Sequence, residues 1–417
     1  MHHVIIGAGP AGVVAAEALR KLDRASQITL VGDEPEPPYS RMAIPYYLID
    51  NIDESGTYLR DPKAHFKAQN IEVVQQKVDQ VDCKKKEVKL ADGSSRAYDK
   101  LLIATGSKPI SPPIPGLDLP QVHSCWTLED ARNIIKLAQS GSNVVLIGAG
   151  FIGCIILEAL VKRGVKLAVI EMGNRMVPRM LDDKAGGLLE TWCKNKGIDV
   201  HTSCSVDAIS DAGDGQVEVS LSDGGKLSAA LVITATGVKA NTDLLEGTDI
   251  NVDQGILVNR RMQSSNPDVY AAGDVAQGVD FSTGNFEVQA IQPTATDHGR
   301  IAALNMAGHD DEHHGTLNMN VLDTVGLISC SFGLWMGVDG GDSAELYNPD
   351  EFQYINLQFD GNHLVGASSV GKTQHIGVLR GLIESKIDLG GWKERLMADP
   401  TAVMEAYVGS TQELGYS

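Results

Sequence analysis

Two stretches of this chain follow one grammar. Residues 3–34 read "HVIIGAGPAGVVAAEALRKLDRASQITLVGDE" and residues 143–171 read "NVVLIGAGFIGCIILEALVKRGVKLAVIE". Each is an apolar strand, a G-x-G-x-x-G turn, a helix, a second strand and a terminal acid. The glycines permit a tight turn and let the backbone approach a pyrophosphate, whose charge the helix N-terminus stabilises. A lone glycine fingerprint is weak evidence, but here each follows an apolar strand, opens a helix and has an acid about 20 residues on. The later segments "IATGSKP" (103–109) and "TATGVKA" (234–240) repeat the pairing. This is a duplicated module rather than a solenoid, and it predicts two dinucleotides, one per module.

The 417 residues suffice for two or three domains with buried cores. No run of about 18 apolar residues is free of charge, so no membrane span is expected. The chain enters a strand directly at Val4, which leaves no room for a signal peptide and predicts a cytoplasmic protein. The formal net charge of −19 argues against nucleic acid or an anionic membrane surface as partner. Six cysteines, at 83, 125, 154, 193, 204 and 330, are scattered without zinc-like spacing, so buried reduced thiols and no metal are expected.

The first module predicts a strand over 3–7, a helix over Pro10–Leu22 and a strand over Gln27–Val31 ending in Asp33 and Glu34. "PPYSRMAIPYYLI" reads as loop, then short helix. Alternation and an "ADG" turn predict a hairpin within 71–98, and "KLLIATGSKPISPPIPGLD" runs from a buried strand into a proline-rich connector. The second module follows the acidic helix "TLEDARNIIKLAQSG", and hairpin is expected again over 197–227. "PTATDHGRIAALNMAG" is a helix closing at Gly308. Beyond about 316, alternating strands followed by helices indicate an α+β unit. The fold class is α/β: two interleaved Rossmann-like dinucleotide-binding domains plus a C-terminal α+β interface domain. The expected segments are 1–115, 116–242, 243–315 and 316–417.

The acids discriminate between nucleotides. Asp33, or its neighbour Glu34, is placed to accept both hydroxyls of one adenosine ribose. Glu171 does the same for the second nucleotide and repels a 2′-phosphate, which favours NADH over NADPH. Arg175, four residues on, admits two readings: a reader of a 2′-phosphate or a solvated loop residue.

"GAGPAG", "ATGSKP", "GAGFIG" with Glu171, "TATGVKANTDLL" and "VYAAGDVA" together resemble the two-dinucleotide-fold flavoprotein disulfide reductase superfamily over nearly the whole chain. The likeness is nearest to NADH oxidases, coenzyme A disulfide reductases, and the ferredoxin, rubredoxin and nitrite reductase flavoproteins. It implies that Gly7, Gly9, Gly12, Asp33 or Glu34, and Arg41 hold tightly bound FAD, with Thr105 and Gly106 passing beside it. Gly273 and Asp274 would contact its ribityl-pyrophosphate. Gly148, Gly150, Gly153 and Glu171 would hold NADH. Pro293 and Thr294 start a helix whose N-terminus would face the N1/C2=O side of the flavin. The resemblance also implies a homodimer through the C-terminal domain.

The chain departs from its relatives where they differ in chemistry. Met42 stands near the position of the redox cysteine of the disulfide-reducing members, and the Cys-x-x-x-x-Cys pair of the dithiol members is missing. Tyr46 and Ile155 replace the lysine and glutamate that ferredoxin reductase members share. Tyr46 and Glu158, one turn beyond Ile155, are the catalytic candidates: Tyr46 to pack on or gate the flavin, Glu158 to reach its edge or face solvent. Cys154, at a helix N-terminus, is either a stabilised thiolate or a packing residue. His313 and His314 of "GHDDEHHG" read as a polar loop rather than metal ligands.

The function expected is an FAD-dependent oxidoreductase that takes hydride from NADH at flavin N5 and passes electrons to a non-thiol acceptor: a small redox protein, a partner subunit or a small molecule such as dioxygen. One alternative is a peroxide-forming NADH oxidase; another, of a different class, is an NADH-sensing interaction module. The net charge opposes acidic carriers unless a basic patch, such as Arg260–Arg261 with Lys162–Arg163, receives them.

Overall fold

The computed structural model describes residues 1–414 and divides the chain into two compact units, 1–110 with 238–316 and 111–237 with 317–417. The first unit is centred on a five-stranded parallel sheet in the order Val269–Ala271, Lys100–Ile103, His2–Ile6, Gln27–Gly32, Glu72–Gln75. The inner strands are buried at all but their end positions, in one core with Ala15 and Leu19 of a helix and Val81, Val88 and Leu90 of an antiparallel sheet. Chain order reverses between His2–Ile6 and Lys100–Ile103. Such a switch point opens a crevice at the carboxyl ends of the strands, where open α/β sheets bind ligands.

Helix Pro10–Leu22 leaves the first strand and packs against helix Gln292–Met306 at backbone distance. A Cβ on Gly299 would lie 2.3 Å from the Ala11 carbonyl oxygen, so only glycine allows this approach. A three-stranded antiparallel sheet (Val78–Asp82, Glu87–Leu90, Ser95–Ala97) completes the first segment.

The second unit repeats the plan. Its parallel sheet runs Asp199–His201, Lys166–Ile170, Asn143–Ile147, Leu231–Thr234, Val122–Ser124, with the switch between Asn143–Ile147 and Leu231–Thr234. Helix Phe151–Lys162 opens from its glycine turn. The C-terminal part is a five-stranded antiparallel sheet in the order Met319–Thr324, Leu327–Gly333, His363–Val370, Gln353–Asp360, Asp342–Asn348, followed by helices Ile376–Ser385, Gly391–Ala398 and Val403–Leu414.

The hairpin expectations need one correction. Glu72–Gln75 and Asp199–His201 are not hairpin strands; each is the outer strand of its parallel sheet, and the antiparallel pairing begins only afterwards. These strands are three or four residues long, too short for alternation to separate the two pairings.

Candidate dinucleotide sites

Both glycine turns sit at the switch points of their sheets, and the three glycines of each have different reasons to be there. Gly7 has φ +111°, and a Cβ on it would lie 2.0 Å from the Ala104 carbonyl oxygen, against the neighbouring strand end. Gly12 would place a Cβ 1.9 Å from the Gly7 oxygen. The second turn matches it: Gly148 has φ +102° and would meet Ala235 O at 2.5 Å, and Gly153 would meet Gly148 O at 2.1 Å. The middle glycines differ. Gly9 and Gly150 have ordinary extended φ values, and a Cβ on either would meet no protein atom within 4 Å. Protein packing requires the outer glycines and leaves open space over the middle ones. The bare turn at a helix N-terminus fits a pyrophosphate.

In the first unit the remaining candidates gather around that turn. Asp33 is exposed at the end of its strand. Glu34 is already engaged: it accepts from the Tyr39 hydroxyl at 2.5 Å and from Arg41 Nη2 at 2.6 Å. Of the two acids, Asp33 is therefore the one whose carboxylate stays outside this network. Arg41 also stands within electrostatic reach of Asp274. Burial pushes the Asp274 carboxyl above its ordinary range, against the Ser107 hydroxyl, which donates to it at 2.8 Å, and the Arg41 charge. Gly273 has φ +78°, and a Cβ there would touch Ala11 and Ala295 at 3.3 Å, so it seats this corner between the two helices.

Thr105 and Gly106 are held by a residue that the motif reading missed. Asn241 donates from its amide side chain to Thr105 O at 2.9 Å and from its backbone N–H to Gly106 O at 2.9 Å, and Thr105 Oγ1 donates to Asn241 O at 2.8 Å. The signal was the asparagine directly after "TGVKA", the second of the two matching segments. Gly106 has φ +67° with open space where a Cβ would be. Pro293 and Thr294 lie in the first turn of helix Gln292–Met306, which has no side-chain cap and no acid in that turn. Ser40 donates to the Gln292 side chain at 2.5 Å and ties the "PPYSR" loop to this helix start.

Tyr46 is 55% exposed and Met42 49% exposed, on the short helical stretch that follows the loop. His313, expected in a polar loop, is buried instead. Its Nδ1 accepts from the Gly315 N–H at 3.2 Å, and its Nε2 faces Asp297 at 3.2 Å, beside the edge of the buried His298 ring.

In the second unit, Glu171 accepts from the Ala149 N–H and the Gly173 N–H, both at 2.7 Å, one on each carboxylate oxygen. Each oxygen keeps a lone pair for a ribose hydroxyl. Glu158 is engaged with Lys162 at 2.6 Å, one turn along its helix. Cys154 is buried, donates weakly to Ala149 O at 3.6 Å, and has its thiol pushed well above the ordinary range by burial and by the nearby Cys193. It is a packing residue. Burial likewise pushes Cys193 and Cys330 up to about 12 and raises Cys83. Among the described residues no group of three or more His, Cys, Asp or Glu is arranged to hold a metal, and no helix is long and apolar enough to cross a membrane.

The arginines suggested as a basic patch are each engaged locally. Arg261 pairs with Asp310, Arg260 donates to His313 O, and Arg163 donates to the Ala138 and Ile135 carbonyls.

A family model described as pyridine nucleotide-disulphide oxidoreductase matches residues 1–299. The epsilon subunit of an NADH-dependent phenylglyoxylate dehydrogenase from Aromatoleum evansii is 32% identical over 98% of this chain and 97% of its own length. An NADH oxidase from Methanocaldococcus jannaschii is also 32% identical, over 77% of this chain and 73% of its own. Reductases of rubredoxin and of ferredoxin match as well. Among solved structures, putidaredoxin reductase in its covalent complex with putidaredoxin superposes with a TM-score of 0.89 over 98% of this chain and 99% of that one, at 24% identity, a likeness of fold.

Proposed function

The chain belongs to the pyridine nucleotide-disulphide oxidoreductase family and is an FAD-dependent NADH oxidoreductase, and we propose that it exchanges electrons with a one-electron centre carried by a partner protein or partner subunit. FAD, when bound, supplies a flavin N5 that accepts hydride from nicotinamide C4 and releases electrons onward. The chain's own residues bind and orient. Gly7, Gly9 and Gly12 bring the turn against the FAD pyrophosphate, Asp33 accepts its ribose hydroxyls, and Arg41, Thr105, Gly106, Gly273 and Asp274 line its course. The first turn at Pro293 and Thr294 offers a positive helix end to the flavin. Gly148, Gly150, Gly153 and Glu171 hold NADH. The first unit, 1–110 with 238–316, would be the FAD domain, and residues 111–237 of the second the NADH domain.

The observation that carries the acceptor assignment is the pair of exposed side chains Met42 and Tyr46, in the stretch where disulfide-reducing relatives place a thiol. No cysteine occurs there, and burial raises the thiols of Cys83, Cys154, Cys193 and Cys330. Electrons leaving this flavin would then pass to the acceptor without a thiol at that position. The full-length match to a subunit of a larger dehydrogenase supports a protein-borne acceptor. The test is stopped-flow reoxidation of the NADH-reduced protein by a rubredoxin, a ferredoxin and air-saturated buffer. A carrier should reoxidise it at least about tenfold faster than air. Prompt reoxidation by air with stoichiometric peroxide, and no carrier effect, would instead make it an NADH oxidase, the reading that the Methanocaldococcus jannaschii relative favours. A homodimer through residues 316–417 is proposed with this function and is read by light scattering.

A further inference from the structure

Arg175 stands four residues after Glu171, where a guanidinium could read a 2′-phosphate, yet its hydrogen-bonding capacity is turned inward. Nε donates to Leu181 O at 2.8 Å, Nη1 to Asn174 Oδ1 at 2.8 Å and Asp183 Oδ1 at 2.7 Å, and Nη2 to Pro178 O at 3.2 Å. The helix behind it makes room. A Cβ on Gly186 would lie 2.9 Å from Arg175 Cδ and 2.8 Å from Met176 O.

The loop closed in this way reaches the nucleotide turn at two points. Gly173 donates its N–H to Glu171 Oε1, and a Cβ on it would crowd that oxygen at 3.0 Å and Pro178 at 3.3 Å. Val177 donates its N–H to Ala149 O at 2.8 Å, while the Ala149 N–H holds the other Glu171 oxygen. Val177 does this at φ +45°, a conformation that a β-branched side chain rarely adopts and that persists only where the surroundings over-determine it. The far end of the loop is fixed as well. Asp182 accepts from the Ala185 N–H at 2.9 Å, capping the helix, and from the Tyr354 hydroxyl in the C-terminal sheet.

We propose that Arg175 is a positioning residue for NADH selectivity. It closes the segment from Gly173 to Asp183 into a rigid collar that fixes the Glu171 carboxylate for the adenosine ribose, and it does not read a phosphate. The proposal rests on Glu171 being the ribose acceptor. A carboxylate held by two peptide N–H groups and a stapled loop meets the ribose without reorganisation, and that pre-organisation is lost when the staple is cut.

The test compares the FAD-loaded wild type with Arg175→Ala, Gly186→Ala and Glu171→Gln, measuring the concentration dependence and limiting rate of flavin reduction by NADH and by NADPH. Arg175→Ala should raise the apparent Kd for NADH about tenfold, with the limiting rate changed less than about threefold and NADPH affinity changed less than about twofold. Gly186→Ala displaces the Arg175 stem without removing its charge and should act in the same direction, less strongly. Weaker NADPH binding with NADH untouched in Arg175→Ala would mean that the guanidinium reads a phosphate. A lower thermal midpoint with both affinities unchanged would mean a purely structural role. Either result overturns the proposal. If Glu171→Gln also leaves NADH binding unchanged, the ribose assignment itself fails, and the proposal with it; a weakened Glu171→Gln beside an unaffected Arg175→Ala removes the proposal alone.

Discussion

Gly9 and Gly12 are three residues apart in one turn and predict opposite outcomes for the same substitution. Alanine at Gly12 would put a methyl 1.9 Å from a carbonyl oxygen, so Gly12→Ala should destabilise the fold by about 2–3 kcal/mol. Alanine at Gly9 meets nothing in the protein, and its φ of −78° suits any residue. Gly9→Ala should therefore change the stability of the FAD-free chain by less than about 1 kcal/mol while weakening FAD at least about tenfold, because on the proposed site the methyl would stand where the pyrophosphate binds. Urea unfolding and flavin retention on gel filtration separate the two effects. Spacing alone made both glycines legible in the sequence, although the turn geometry excludes a side chain at Gly12 and not at Gly9. Less legible were the residues whose roles depend on their contacts. Asp33 and Glu34 are adjacent in sequence and only the pairing of Glu34 with Arg41 and Tyr39 separates them, and "TATGVKANTDLL" does not itself show that its Asn241 holds Thr105 and Gly106.

At the scale of the element, helix Gln292–Met306 carries two unlike demands. Its Gly299 lets it lie on the Ala11 backbone, and Gly299→Ala should cost about 2 kcal/mol net and loosen FAD, since the first glycine turn leads into the helix it touches. One residue earlier, His298 is buried beside His313 and Asp297. Burial, then the His313 charge, pull its pKa down to about 3, against Asp297. The ordinary value is about 6.5. The unfolded chain therefore takes up a proton below about pH 6.5 that the folded chain refuses until about pH 3. Stability from this group is intact above 6.5 and falls as pH drops between the two values, by a few kcal/mol at most. A His298→Gln variant should flatten that part of the stability–pH curve, read as urea midpoints from pH 7.5 to 5; an unchanged slope would assign the acid sensitivity to other groups. Helix existence was readable from the glycine turn that opens it, as for the helix expected over about Pro10–Leu22. The burial of His298 and His313 was not, because a His-Asp-rich stretch has the same composition on a surface loop as in a tertiary contact.

For the whole molecule, the duplicated grammar made the two parallel sheets legible, since buried parallel strands are continuous apolar runs. The outer strands Glu72–Gln75 and Asp199–His201 escaped because pairing partners far along the chain, not local pattern, decide their direction. Charge sets the remaining expectation. With a net −19 and the suggested arginines engaged locally, an acidic carrier is repelled at long range. Carrier-dependent turnover should then rise several-fold as ionic strength goes from about 10 to 150 mM, over which the Debye length falls from about 30 to 8 Å. A fall with salt would reveal an attractive docking surface. The central claim, that two nucleotide sites on one chain deliver hydride from NADH to a flavin, is tested most directly by mixing the yellow protein with NADH or NADPH in the absence of oxygen and following flavin absorbance. Rapid bleaching by stoichiometric NADH, and much weaker bleaching by NADPH, is the predicted result. A flavin that stays oxidised with both would contradict it.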